Sequence, residues 1–244
     1  MRKNFNLPGA IPGLMFLACL SWFLLLPAFG DPVFAPPAPD AAYLKAQGDS
    51  CFNLGQYNQA LNYYAGSLKL NPQQPDVLTN LGTVWSQLGD NQKALDCYNQ
   101  ALALNPNSAQ TWLAKGVMLD SQGQENLAMT CYEQALAIDP GQAQAWVNKG
   151  VILAQGGYDQ NALDCFNRAI ELDGDNYMAW FHKAMVLNDA GNDQGALDCC
   201  NQALNLNPNF LAAWQFKAYL LDSLGFDSDA QICRAKAAAL MQKY

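Results

Sequence analysis

From Ala41 onward the chain repeats itself every 34 residues. One column shows it directly: Ala60, Ala94, Ala128, Ala162, Ala196 and Ala230 recur with no residue inserted or deleted. The period divides the chain into six units, 41–74, 75–108, 109–142, 143–176, 177–210 and 211–244. A fixed repeat of this size marks an array in which each unit buries its apolar face only by stacking on its neighbours. Such an array is a solenoid: it presents a long surface and has no single central cavity.

Each unit divides into two helical stretches. In the third, Ala109 to Gln122 places Trp112, Gly116 and Leu119 on one face, and Glu125 to Ile138 does the same with Ala128, Tyr132, Ala135 and Leu136. Gly123 separates the two, as Gly55, Gly89, Gly157, Gly191 and Gly225 do elsewhere. Glycine enters the left-handed conformation that closes a helix without steric cost. Proline then stops the second helix through Pro72, Pro106, Pro140 and Pro208, with Gly174 in that place in the fourth unit. No alternating run is long enough for a sheet.

The columns so defined are Leu44, Leu78, Trp112, Trp146, Trp180 and Trp214, then Gly48, Gly82, Gly116, Gly150, Ala184 and Ala218. Behind the alanine column come Tyr64, Tyr98, Tyr132 and Phe166, then Ser67, Ala101, Ala135, Ala169, Ala203 and Ala237. In these positions the chain resembles the tetratricopeptide repeat family over residues 41–244. The resemblance implies an all-α, right-handed superhelical solenoid of six helical hairpins whose inner face holds peptides. Lys115, Lys149, Lys183 and Lys217 depart from the pattern by replacing its usual Leu. Their stems are expected along apolar surface with the ammonium in water, within reach of Asp96, Asp164 and Asp198.

Residues 1–30 read as an export leader. Arg2 and Lys3 form a basic head, and an apolar run follows from Leu14 to Phe29, broken only by Ser21. Ala28 and Gly30 put small residues where signal peptidase requires them. The run has about 16 residues, against about 20 for a membrane span. Cleavage before Asp31, membrane attachment through residues 14–29, and acylation at Cys19 all remain open at this point. Residues 31–40 carry four prolines and form a semi-rigid spacer.

The net charge of −8 becomes −10 once residues 1–30, with Arg2 and Lys3 and no acid, are removed. Binding a polyanion requires Lys and Arg to displace counterions, so this balance argues against nucleic acid as a partner. Cys97, Cys131, Cys165, Cys199 and Cys233 stand one repeat apart. Equivalent atoms of stacked helices lie about 10 Å apart, whereas a disulfide needs Cα atoms within about 7 Å. This column cannot bridge internally. It reads as small, semi-buried apolar residues, with a redox role as the alternative.

No signature of catalysis appears. Phosphate-binding glycine loops, nucleophile elbows and His-Glu-x-x-His are absent, and His182 is the single histidine. No cofactor or metal is expected.

By the resemblance, the residue after the tryptophan column and the one four further on line the groove. These are Lys45 and Asp49, Thr79 and Thr83, Leu113 and Val117, Val147 and Val151, Phe181 and Met185, then Gln215 and Tyr219. The first third is polar and the rest an apolar strip, with Asp120, Gln155, His182, Asn188, Asp189 and Asp222 as its rim. A terminal-carboxylate clamp is not expected, because Thr79, Asn80 and Gln110 do not supply its cations.

The expected function is non-catalytic protein binding outside the cytoplasmic membrane, the partner being a protein or peptide with apolar anchors. The alternative is end-to-end self-association through Ile232, Leu240 and Met241.

Overall fold

The computed structural model describes residues 39–242. The leader and most of the spacer lie outside the described residues. Among the described residues no helix is long and apolar enough to cross a membrane.

Twelve helices follow one another without a strand between them, among the described residues. They run α1 (Ala41–Asn53), α2 (Tyr57–Leu70), α3 (Pro75–Gln87), α4 (Asn91–Leu104), α5 (Ala109–Ser121) and α6 (Glu125–Ile138). Then come α7 (Ala143–Gln155), α8 (Asp159–Leu172), α9 (Tyr177–Asp189), α10 (Asp193–Leu206), α11 (Leu211–Ser223) and α12 (Asp227–Met241). Each odd helix folds back on the even helix after it, giving six hairpins that stack in chain order. The fold is the all-α superhelical repeat that the columns imply.

Local chemistry sets the helix ends. The six glycines between paired helices all take positive φ, from 70° to 82°, which only glycine adopts freely. The turns between units are built by a side chain. Asn71, Asn105, Asp139, Asp173 and Asn207 each accept a hydrogen bond from the backbone N–H two residues on, at 2.9–3.2 Å. The tryptophan column closes the same turns from outside. The indoles of Trp112, Trp146, Trp180 and Trp214 donate to the carbonyls of Pro106, Pro140, Gly174 and Pro208, at 2.9–3.1 Å. Sequence periodicity placed these rings in the core; they are half-buried, with the apolar body packed and the N–H used.

The core runs through the hairpins as a row of matched pairs. All six alanines of the repeat column are completely buried. A Cβ at Gly48, Gly82, Gly116 or Gly150 would lie 2.5–2.7 Å from Cε1 of the ring at Tyr64, Tyr98, Tyr132 or Phe166. In the fifth unit the pair changes on both sides: Ala184 supplies the Cβ, and the fully buried Cys200 replaces the ring. Glycine and ring, or alanine and thiol, fill one volume in two ways.

The lysine column behaves differently from the expectation. Asp96, Asp164 and Asp198 accept from Gln92, Gln160 and Gln194 of their own helices. Lys115 instead reaches Asn99 at 2.9 Å, and Lys149 pairs with Glu133 at 3.0 Å. Both partners lie 16 residues back on the preceding second helix. The ammonium groups of Lys115, Lys183 and Lys217 also lie 5.4–5.6 Å from the ring centres of Trp112, Trp180 and Trp214.

Candidate functional site

The first helices α1, α3, α5, α7, α9 and α11 carry the groove positions, and the fold separates them into two columns of opposite character. In the later column Val117, Met185 and Tyr219 are 45%, 40% and 56% exposed, and Val151 is half-buried. In the earlier column Val147 and Phe181 are buried, Leu113 is half-buried and Gln215 is exposed.

Val147 and Phe181 therefore belong to the core rather than to the groove lining. They lie one helical turn before the exposed set, where the helix faces the next unit. Phe181 meets Phe210 and Phe216 edge-on, with centroids 4.8 and 5.8 Å away. Thr79, expected in the polar third, is also buried; its hydroxyl shares a 2.7 Å hydrogen bond with Thr111 of α5.

The rim is only partly free. Gln155 and Asp189 are exposed, and Asn188 is half-buried. Asp120 accepts a 3.4 Å bond from the Tyr132 hydroxyl, and Asp222 is paired with Arg234. His182 stacks on Phe166 at 5.8 Å with the rings 18° apart. Its burial there pushes its pKa below the ordinary 6.5, because the charged form is desolvated.

The polar first third is where the sequence placed it, but sequence reasoning missed that Tyr64 and Asn80 tie it together. The Tyr64 hydroxyl donates to Asp49 at 2.8 Å, Asn80 donates to the same oxygen at 2.9 Å, and Lys45 pairs with the other at 2.8 Å. Desolvation alone would raise the Asp49 pKa. The hydrogen bonds from Lys45, Tyr64 and Asn80 outweigh it and hold the carboxyl below its ordinary value. One unit on, the Tyr98 hydroxyl donates to Thr83 at 3.2 Å. A partial signal was present in the chain: Tyr64 and Tyr98 each follow a polar groove residue by 15 positions and Phe166 follows Val151, but Tyr132 follows Val117 and its hydroxyl turns to Asp120.

All seven described cysteines are buried and unbridged. Burial pushes Cys97 up to about 11 and Cys200 to about 12, and raises Cys131, Cys165, Cys199 and Cys233 as well. Thiols held protonated are poor nucleophiles. Among the described residues no group of three or more His, Cys, Asp or Glu is placed to hold a metal.

At the far end, Ile232, Leu240 and Met241 do not form one patch. Met241 lines a groove of about 510 Å³ between α11 and α12, whereas Ile232 lines a separate pocket of about 370 Å³ with Trp214 and Lys217. Leu240 is half-buried.

Stacked 34-residue helical hairpins with a graded inner groove define a tetratricopeptide-type repeat protein. The chain belongs to the family described as the cilia and flagella-associated protein 70 middle TPR-like domain, whose model matches residues 44–207. Solved structures share the fold. MamA is 23% identical over 67% of this chain and 95% of its own, with a TM-score of 0.60. PilW, described as a widely conserved type IV pilus biogenesis factor, is 20% identical over 82% and 92%, at 0.74. YrrB, described as a TPR protein with an unusual peptide-binding site, is 21% identical over 73% and 92%, at 0.57. No curated protein matches the chain in sequence.

Proposed function

We propose that this protein is a non-catalytic scaffold that holds a peptide segment of another protein in its concave groove, on the outer side of the cytoplasmic membrane. One observation carries the reading: Val117, Val151, Met185 and Tyr219 hold the same place in four successive first helices, and three of the four are substantially exposed. Packing within the array already uses the tryptophan, glycine and alanine columns. A further row of apolar side chains in water marks an interaction surface. The acceptors Gln155, Asn188 and Asp189 beside it favour a peptide with apolar anchors flanked by basic or amide groups. A peptide-binding site in YrrB, on the same fold, supports this mode. The export-type pattern of residues 1–30 supports the location.

The test is selection from a displayed library of random 15-residue peptides. The full chain is compared with a Val117→Asp/Met185→Asp variant, whose exposed positions leave the core intact. The parent should enrich peptides with spaced apolar residues, binding on the order of micromolar. The variant should lose them by about tenfold or more. Equal enrichment by both would remove the binding site from this strip.

A further inference from the structure

The groove between α11 and α12 is lined by Ala218, Tyr219, Ala237, Ala238 and Met241, with the Arg234–Asp222 pair at its side. In earlier units the places of Arg234 and Ala238 pack against the next unit's first helix, while the place of Tyr219 stays partly in water, as at Val117 and Met185. The groove is therefore a continuation of the interface that builds the array. Five internal junctions show what that interface requires.

One requirement is size. The second helix presents a Leu or Ile and the next first helix a residue no larger than Val: Leu68 clusters with Val77, Leu136 with Ala145, Ile170 with Ala179, and Leu204 with Ala213. The other is polarity. The aromatic column, or Cys200 in its place, shares a buried cluster with an aliphatic of the next first helix. Tyr64 goes with Val84, Phe166 with Val186, and Cys200 with Leu220.

Both rules are reversed at the two ends of the described array, and the reversals match. On α12 the Leu position holds Ala238. On α1 the small position holds Tyr43, which is 55% exposed although its equivalents Val77, Thr111, Ala145, Ala179 and Ala213 are fully buried. On α12 the ring position holds Arg234, and on α1 the aliphatic position holds Ser50, also exposed. A large residue thus stands ready for a small socket, and a hydroxyl for a guanidinium with donors to spare beyond Asp222.

We propose that α1 of a second copy of this chain docks in the groove between α11 and α12, so that copies stack head to tail. Tyr43 fills the space over Ala237 and Ala238 against Met241, and Ser50 accepts from Arg234. The contact is heterologous: one end of each copy meets the other end of the next, so the series extends as a filament unless its rotation closes a ring. The groove shares Tyr219 with the apolar strip but uses none of Val117, Val151 or Met185, and variants at Tyr43 and Ala238 leave all four strip residues unchanged, so the two readings are tested apart.

Two single variants and their mixture test it. Tyr43→Asp blocks only the head, and acid is tolerated in the first turn of a helix. Ala238→Arg blocks only the tail with another good helix former. Each is run as the full chain in density-matched mild detergent, by sedimentation velocity from about 1 to 500 μM, a range spanning weak association. Circular dichroism confirms equal helicity.

The parent should form concentration-dependent dimers and longer species, and either variant alone should weaken this by about tenfold or more. A one-to-one mixture of the two should regain association and stop at dimers, because it offers one open head and one open tail. A monomeric parent would overturn the proposal and leave both ends as water-facing caps. So would variants that assemble as the parent does, or a mixture that fails to pair.

Discussion

His182 shows how a single side chain can be tied to the array. Its ring stacks on Phe166 of the preceding unit, and burial holds its pKa below 6.5. In the unfolded chain it titrates near the ordinary value. Above pH 6.5 it is neutral in both states and contributes no pH dependence. Below that, the unfolded state takes up a proton that the folded state refuses, so stability falls until the folded pKa is reached. The melting temperature of the parent should therefore drop between pH 7 and 5.5. A His182→Phe variant, which copies Phe216 one unit on, should drop less. Parallel curves would show that His182 is not the group responsible. The sequence reading put this lone histidine on the groove rim; the ring of the neighbouring unit, which no local pattern shows, ties it to Phe166 instead.

At the scale of the element, the hairpin is set by the pairing of small residue and ring. Gly150→Ala should gain about 1 kcal/mol of helix propensity. It would also set a Cβ 2.7 Å from the buried Phe166 ring, and overpacking of this kind costs about 1–3 kcal/mol. The net effect should be a loss. In a Phe166→Cys background, which reproduces the Ala184 and Cys200 pair of the fifth unit, the same Gly150→Ala change should be neutral or stabilising. Urea unfolding of the four proteins gives the coupling, and a coupling near zero would refute the volume exchange. Helix limits were legible in the chain almost to the residue: Glu125 to Ile138 is α6 as expected, and Gly123 has the positive φ that ends a hairpin. The coupling between the two columns was not legible, although both columns were. Period locates the residues, and contact across the hairpin decides whether their volumes depend on one another.

Across the whole molecule, each hairpin packs only on its neighbours, so stability should be distributed by position. Amide hydrogen exchange should be slowest in α5 to α8, which have neighbours on both sides, and fastest in α1 and α12. Uniform protection from end to end would instead indicate one all-or-none unit. Head-to-tail stacking would slow exchange in α1 and α12 together as concentration rises, which links this profile to the state of assembly.

The sequence by itself determined the period, the helices of the described residues, their glycine and proline boundaries and the column that each residue joins. These depend on backbone preferences and side chains within a few positions, which a single chain displays directly. Tertiary structure decided which members of a column meet water. Val147 and Phe181 are buried while Val117 and Met185 are not, the tryptophans close turns, and Lys115 finds Asn99 rather than an aspartate. Exposure and partner choice are set by the neighbouring unit, 34 residues away, whose approach no local pattern encodes.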